Sequence, residues 1–219
     1  RMEALEEIVN DPRFANVFMP LFGITAQSGS GPLIRRIALN TSISKEDVYK
    51  NMGLIFGQLD FVGEGASATG DQRILAAEFL RRMDVLQDMI DDPRFESLFM
   101  VLFGITAAAG DEPLMRRIAL NTTISKEKVY GNMGLIFGQL DFVGEGTSST
   151  GDPRISPDEF MRRMEILNDL IEDPRFESVF MPLFGITAKT GNEPLMQRIA
   201  LNDQISQEEV YANMGLIFG

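Results

Sequence analysis

The sequence predicts an all-α fold built from tandem 81-residue helical repeats, with about four helices in each repeat. Two observations carry this prediction. Short motifs recur without insertions at one constant spacing, as three Asp-Pro-Arg-Phe segments beginning at Asp11, Asp92 and Asp173 show. Within each copy the apolar residues follow the i, i+3, i+4 spacing of one helix face. A fixed period of self-similarity is typical of repeat architectures.

The period divides the chain into three helical repeats joined by two connections rich in Gly, Ser and Thr. We expect repeat 1 at residues 1–62, truncated at its N-terminus, repeat 2 at 73–143, and repeat 3 at 154–219, truncated at its C-terminus. The connections, 63–72 and 144–153, are either flexible linkers or loops folded inside the structure. Because the first and last residues align with positions inside helical patterns, we expect the chain to be a segment of a longer array.

The first two helices of repeat 2 meet at a pair of capping residues. The first helix is predicted over 76–91 by its apolar spacing. Asp92-Pro93 then places an N-cap residue before a proline at the first helical position, so a second helix begins there and runs to Gly104. In repeats 1 and 3 a proline inside this second helix, Pro20 or Pro182, should kink or break it.

The third and fourth helices follow a turn. The third is predicted over 113–121, and the fourth begins after Ser125 and fades by Gly144. The start of the fourth helix is clearest in repeat 3, where Ser206 and Glu209 have the spacing of a capping box.

Glycines on the fourth helix are assigned to close helix packing. Two of them lie four residues apart in repeats 1 and 2, and so share one helix face. The absence of a side chain there lets another helix approach, although contact with a ligand is the alternative interpretation. These helix-packing glycines are Gly53, Gly57, Gly134 and Gly138.

The composition excludes several classes of activity. The chain has no Cys and no His, so a thiol nucleophile, a Ser-His-Asp triad and an imidazole metal site are all excluded. The net charge of −12 argues against nucleic acid as a partner. No apolar run approaches the roughly 18 residues that span a bilayer, so we expect no membrane insertion. No catalytic constellation stands out among the remaining residues, and we expect the chain not to be an enzyme.

Two segments of the chain resemble part of an EF-hand. Residues 135–141 resemble its incoming helix, and residues 152–160 resemble the second half of its calcium loop and the exit. A capping box with a hydrophobic staple is the alternative interpretation of residues 155–160. The resemblance implies Ca²⁺ as the cofactor, held by carboxylate and other oxygens. The residues that it assigns to calcium are Asp60, Asp71, Glu78, Asp141, Asp152 and Glu159.

Three functions follow from these observations. The first is a structural or assembly protein whose helical modules bind neighbouring repeats, other copies of the chain or a periodic protein partner, because linked modules gain avidity. The second is a calcium-binding array of degenerate EF-hand-like loops. The third is a carrier of an apolar ligand, held by some of the 16 Phe and 13 Met residues. The Arg116-Arg117 pair is interpreted as a solvated face or as a contact with the acidic surface of a neighbouring repeat.

Overall fold

A computed structural model describes all 219 residues and confirms the all-α prediction. It has twelve α-helices and no strands. None of these helices combines the length and the apolar character that crossing a bilayer requires. The α-helices are α1 (Met2–Val9), α2 (Met19–Leu21), α3 (Leu33–Ala38), α4 (Lys45–Gln58), α5 (Ala76–Ile90), α6 (Met100–Leu102), α7 (Leu114–Ala119), α8 (Lys126–Gln139), α9 (Pro157–Ile171), α10 (Met181–Leu183), α11 (Leu195–Ala200) and α12 (Gln207–Phe218).

The chain folds as two compact units, and each of them combines parts of consecutive repeats. One unit is Arg1–Gln87 with Ala107–Tyr130, and the other is Asp88–Thr106 with Gly131–Gly219. In the first unit α7 of repeat 2 packs on α2 of repeat 1. In the second unit α11 of repeat 3 packs on α6 of repeat 2. Each compact unit therefore contains helices from two neighbouring predicted repeats that pack on each other.

The second predicted helix of each repeat begins with a π-helical turn. In repeat 1 this turn is Phe14–Phe18, and α2 follows it directly. The helical segment is terminated by Gly23, where φ is +62°. Glycine adopts this left-handed conformation without the penalty that a β-carbon brings. The same π-helical turn forms at Phe95–Phe99, although Val101 replaces the proline in that repeat. Proline therefore does not cause the π-helical turn.

Three phenylalanines four residues apart form a ladder along this helix. In repeat 1 the rings of Phe14 and Phe18 stack with centroids 4.9 Å apart, and Phe22 follows at 4.8 Å from Phe18. All three side chains are at most 1% exposed. Because a buried aromatic side chain contributes a large apolar area, we regard this Phe ladder as the centre of the repeat's core.

The two Gly/Ser/Thr-rich connections are folded loops. In the first, isolated β-bridges pair Val62 with Ile74 and Ala66 with Gln72, and Ser67 is buried. The second has the same pairs of bridges at the equivalent positions. Of the two interpretations, the structure thus shows the folded loop, while the exact repeat boundaries stay predictions.

Candidate repeat-repeat interface

Arg116 of repeat 2 is held in a polar pocket on repeat 1. Its Nη1 donates to Asn51 Oδ1 at 2.6 Å and to the Gly23 carbonyl oxygen at 3.3 Å. Its Nη2 donates to Asp47 Oδ1 at 3.3 Å. Arg116 is 7% exposed and Asn51 is 1% exposed. A buried cation is stable only when it is paired and hydrogen-bonded, so these contacts hold α7 in one position on repeat 1.

The local sequence explains how the pocket forms. Ser44 caps α4 by accepting the backbone N–H of Asp47 at 3.0 Å, and Asp47 and Asn51 then lie four residues apart on one helix face. A β-carbon placed on Gly23 would lie 3.2 Å from Cγ of Pro113. The glycine thus serves two purposes, because it ends the helix in the left-handed conformation and leaves room for the following repeat.

The interface between repeats 2 and 3 has the same layout, but a glutamine stands in place of the arginine. Gln197 is 4% exposed and lies against Gly104. Asn132, the equivalent of Asn51, is fully buried, and neither its amide nitrogen nor its oxygen has a hydrogen-bond partner. In the sequence, the acidic position of the first interface is also changed, to Lys128. Both charged members of the first interface are thus replaced together.

The first helix of each following repeat covers the π-helical turn of the repeat before it. The ring of Phe79 in α5 lies 6.0 Å from that of Phe18, and the ring of Phe160 in α9 lies 6.0 Å from that of Phe99. The apolar core of one repeat is therefore completed by aromatic side chains of the next.

Ion pairs flank these aromatic contacts. Arg13 Nη1 lies 3.4 Å from Asp84 Oδ2 on α5. At the equivalent place, Arg94 Nη1 lies 3.6 Å from Glu165 Oε2 on α9. Both pairs are largely solvated, and such pairs contribute little to stability. An arginine of the earlier repeat thus lies near an acidic side chain of the later repeat at both contacts.

Two of the helix-packing glycines lie against a tyrosine of the following repeat. A β-carbon on Gly57 would be 3.7 Å from Cε1 of Tyr130, and one on Gly138 would be 3.7 Å from Cε1 of Tyr211. A β-carbon on Gly53 would meet no neighbouring atom within 4 Å. Gly134 is half-buried. The structure brings Gly57 and Gly138 into the interface and leaves Gly53 outside it.

The glutamates that the EF-hand resemblance assigns to calcium each bond two arginines of their own helix. Glu78 Oε1 accepts from Arg81 Nη2 and from Arg82 Nε, both at 2.7 Å. Glu159 forms the same contacts with the equivalent arginines of α9, at 2.7 and 2.8 Å. Each glutamate therefore accepts hydrogen bonds from two guanidinium groups.

Two of the assigned aspartates are buried at the base of the folded loops. Asp60 Oδ1 accepts from Arg73 Nη2 at 2.8 Å, and its Oδ2 accepts the backbone N–H of Ala68 at 2.7 Å. Burial raises the pKa of the Asp60 carboxyl, but the hydrogen bonds from Ala68 and Arg73 and the nearby charge of Arg1 together lower it below its ordinary value. Asp141 occupies the same place in the second loop and pairs with Arg154.

The remaining two aspartates lie farther along the loops. Asp71 accepts from Thr69, and Asp152 accepts from Thr150. The structure does not bring three or more acidic side chains together in an arrangement that could hold a metal ion. Calcium binding stays a prediction of the sequence, and calorimetry of the chain with Ca²⁺ would test it.

The ion pairs of Glu78 predict how stability depends on pH. Burial raises the pKa of Glu78, but the hydrogen bonds from Arg81 and Arg82 outweigh it and lower the pKa from 4.5 to about 2. A carboxyl group of this kind stabilises the fold above its unfolded pKa, and the contribution is lost as the pH falls through the folded value. We therefore expect the free energy of unfolding to decrease from about pH 4.5 toward about pH 2.

Urea unfolding at a series of pH values checks this expectation. The decrease should be smaller in Glu78→Gln, because the amide does not titrate, while Glu7→Gln at an exposed surface position is the control. Identical pH profiles for the wild type and Glu78→Gln would contradict the prediction.

No family model, no curated protein and no solved structure matches the chain. Its function must therefore be inferred from its own geometry. Motif reasoning did not single out the asparagine that binds Arg116. One signal was available, because an Asn recurs at this helix position in every repeat, as Asn51, Asn132 and Asn213, and all three are buried.

Proposed function

We propose that this chain is a structural repeat protein whose 81-residue helical repeats bind one another and hold their neighbours in a fixed register. The observation that carries this proposal is the buried contact of Arg116 with repeat 1. Arg116 and Asn51 are 65 residues apart in sequence, yet they form a hydrogen bond of 2.6 Å in a buried site. Modules connected only by flexible linkers would not bury a charged side chain of one module in the next.

The kind of contact also supports a structural role. Each interface joins two different surfaces, one on the earlier repeat and one on the later repeat, so the same contact can be repeated along an array. Stability in such proteins is approximately the sum of the repeat and nearest-neighbour terms. On this proposal the chain is not an enzyme, and its partners are its own repeats.

The comparison of Arg116→Ala with Arg35→Ala tests the proposal. Arg35 is the sequence equivalent of Arg116 in repeat 1, but it is exposed. We expect Arg116→Ala to lower the free energy of unfolding by about 2 kcal/mol, since hydrogen bonds to a charged group are lost and Asn51 stays buried. Arg35→Ala should change it by less than about 0.5 kcal/mol. Urea unfolding measures both at a concentration where the chain sediments as a monomer.

Equal losses in the two variants would contradict the proposal, because they would show that contact between repeats adds nothing to the stability of the chain. A hydrogen-exchange measurement locates the effect. In Arg116→Ala the amide protons of α7 should lose protection first, because this helix depends on the contact with repeat 1.

A further inference from the structure

The two interfaces between repeats use the same framework around different polar residues. A β-carbon on Gly23 would lie 3.2 Å from Pro113 Cγ, and one on Gly104 would lie 3.2 Å from Pro194 Cδ. A buried asparagine is also present at both interfaces. Because these glycines, prolines and asparagines are unchanged, the two interfaces can be compared residue by residue.

Two positions within this framework differ in charge. The first interface has Asp47 on the earlier repeat and Arg116 on the later repeat, and their equivalents further along the chain are Lys128 and Gln197. A carboxylate is thus replaced by a cation, and a cation is replaced by a neutral amide. Neither mixed combination, arginine with lysine or glutamine with aspartate, occurs between consecutive repeats.

The guanidinium of Arg116 is surrounded by acceptors. Its side chain is 9% exposed, and Nη2 lies 3.3 Å from Asp47 Oδ1. Glu112 Oε2, from the same repeat as Arg116, lies 3.3 Å from Nε, but the Glu112 side chain is 59% exposed and this pair is largely solvated. Nη1 donates to Asn51 Oδ1 and to the Gly23 carbonyl oxygen. Asp47 is therefore the carboxylate that the other repeat supplies.

A lysine in place of Asp47 would put a second cation beside this buried guanidinium. Like charges in contact at an interface are strongly unfavourable, and a buried charge that loses its partner is costly. A glutamine in place of Arg116 would avoid the repulsion, because its amide is neutral. The stability of each combination therefore depends on both residues together.

We propose that the residues at positions 47 and 116, and at their equivalents 128 and 197, determine which repeat can follow which. A repeat with aspartate accepts a following repeat with arginine, and a repeat with lysine accepts one with glutamine. This inference rests on the proposed function and names the partner that each repeat accepts. Specificity of this kind is a difference between the affinities for the correct and the wrong partner. Repeats of such similar sequence need this difference, since their apolar surfaces alone distinguish neighbours poorly.

Exchange of the two residues at the first interface tests the inference. Asp47→Lys/Arg116→Gln gives this interface the residue types of positions 128 and 197. In urea unfolding of the whole chain, Arg116→Gln should increase the unfolding equilibrium constant of the wild type about tenfold, which corresponds to about 1.4 kcal/mol. In Asp47→Lys the same substitution should decrease that constant, because it removes the repulsion between two cations. A reversal of sign is thus the expected result.

The other effects of Asp47→Lys cancel in this comparison. Ser44 Oγ accepts the backbone N–H of Asp47 at 3.0 Å and donates to Asp47 Oδ2 at 2.7 Å. A carboxylate is also favourable at the N-terminal end of a helix. Asp47→Lys loses both contributions whether residue 116 is arginine or glutamine, so the effect of Arg116→Gln in the two chains isolates the interaction between positions 47 and 116.

Glu46→Lys is the matched control. It makes the same change of charge in the first turn of α4, but the Glu46 side chain is 77% exposed and pairs with Lys50. Arg116→Gln should therefore have the same effect in Glu46→Lys as in the wild type.

Asp47→Asn is the intermediate case, because it removes the carboxylate without adding a cation. The loss caused by Arg116→Gln should become smaller in this chain without changing sign. This variant also decides the question if Asp47→Lys does not fold.

An effect of Arg116→Gln that is the same in the wild type, Asp47→Asn and Asp47→Lys would overturn the inference. A reversal of sign in Glu46→Lys would also overturn it, because the effect would then follow from net charge. Failure of the proposed function is a separate outcome, since it is decided by Arg116→Ala and Arg35→Ala in chains that keep Asp47. A loss in Arg116→Ala alone, without any dependence on residue 47, would retain the structural role and reject the selection of neighbours.

Discussion

Replacing Phe99 by alanine is expected to lower the free energy of unfolding by about 3–5 kcal/mol, as is usual for a buried phenylalanine. Phe99 is 1% exposed. Its ring lies 5.0 Å from that of Phe95 and 4.9 Å from that of Phe103 within the Phe ladder of repeat 2. The ring of Phe160, from repeat 3, lies 6.0 Å away. The variant thus removes both ladder contacts and the aromatic contact between repeats.

Phe180→Ala separates these two contributions. Phe180 has the same position in the ladder of repeat 3, with its ring 4.9 Å from that of Phe176 and 4.7 Å from that of Phe184. It is only half-buried, because it lines an open cavity of about 320 Å³. We expect at most about half of the Phe99 loss, because a less buried side chain loses less transfer free energy and leaves a smaller cavity. Urea unfolding measures both variants. Equal losses would show that Phe160 contributes nothing to the stability of repeat 2.

The short-range signals in the sequence predict much of the fold. Ser44, Ser156 and Ser206 are the N-caps of α4, α9 and α12, and each accepts a backbone N–H three residues later. These contacts depend only on neighbouring residues, so letters at the correct spacing suffice to predict them. The π-helical turns carry no such signal, because the rare π-helix has no capping rule of its own and is read as an ordinary helix.

The interface depends on residues that are far apart in the sequence. Arg73 reaches the buried Asp60 from 13 positions away, and Arg116 reaches Asn51 from 65 positions away. Periodicity assigns each of these residues to a helix face or a loop but does not pair them. Arginine next to an apolar face fits both a solvated surface and a neighbouring repeat, and only the fold distinguishes the two.

Differences between the repeats are the sequence signal that best indicates the interface. Where Arg116 is replaced by Gln197, the acidic position of Asp47 is replaced by Lys128. A buried charge without a partner is costly. If the arginine and the carboxylate form a pair, we therefore expect the two to be replaced together. Repeat 3 has Glu209 at this position, where its Oε2 accepts the backbone N–H of Ser206 at 3.1 Å.

Replacing Asp141 by alanine should have an effect as large as that of Phe99→Ala, about 3–5 kcal/mol, because it removes one partner of a buried ion pair. The side chain of Asp141 is 3% exposed, and that of Arg154 is 11% exposed. Asp141 Oδ1 accepts from Arg154 Nη2 at 3.2 Å, and Oδ2 accepts the backbone N–H of Ser149 at 2.8 Å. One carboxylate thus holds both sides of the folded loop.

The double variant Asp141→Ala/Arg154→Ala distinguishes the ion pair from simple loss of packing. If the cost of Asp141→Ala comes mainly from a guanidinium that has lost its carboxylate, removal of Arg154 as well should add little, and the two losses will not be additive. Asp152→Ala in the same loop is the control. Asp152 is exposed, and its Oδ2 accepts a hydrogen bond from the hydroxyl of Thr150 at 2.6 Å. Its replacement should therefore lower the free energy of unfolding by less than about 1 kcal/mol. Additive losses in the double variant, or equal losses for Asp152→Ala and Asp141→Ala, would show that the buried ion pair does not hold the loop.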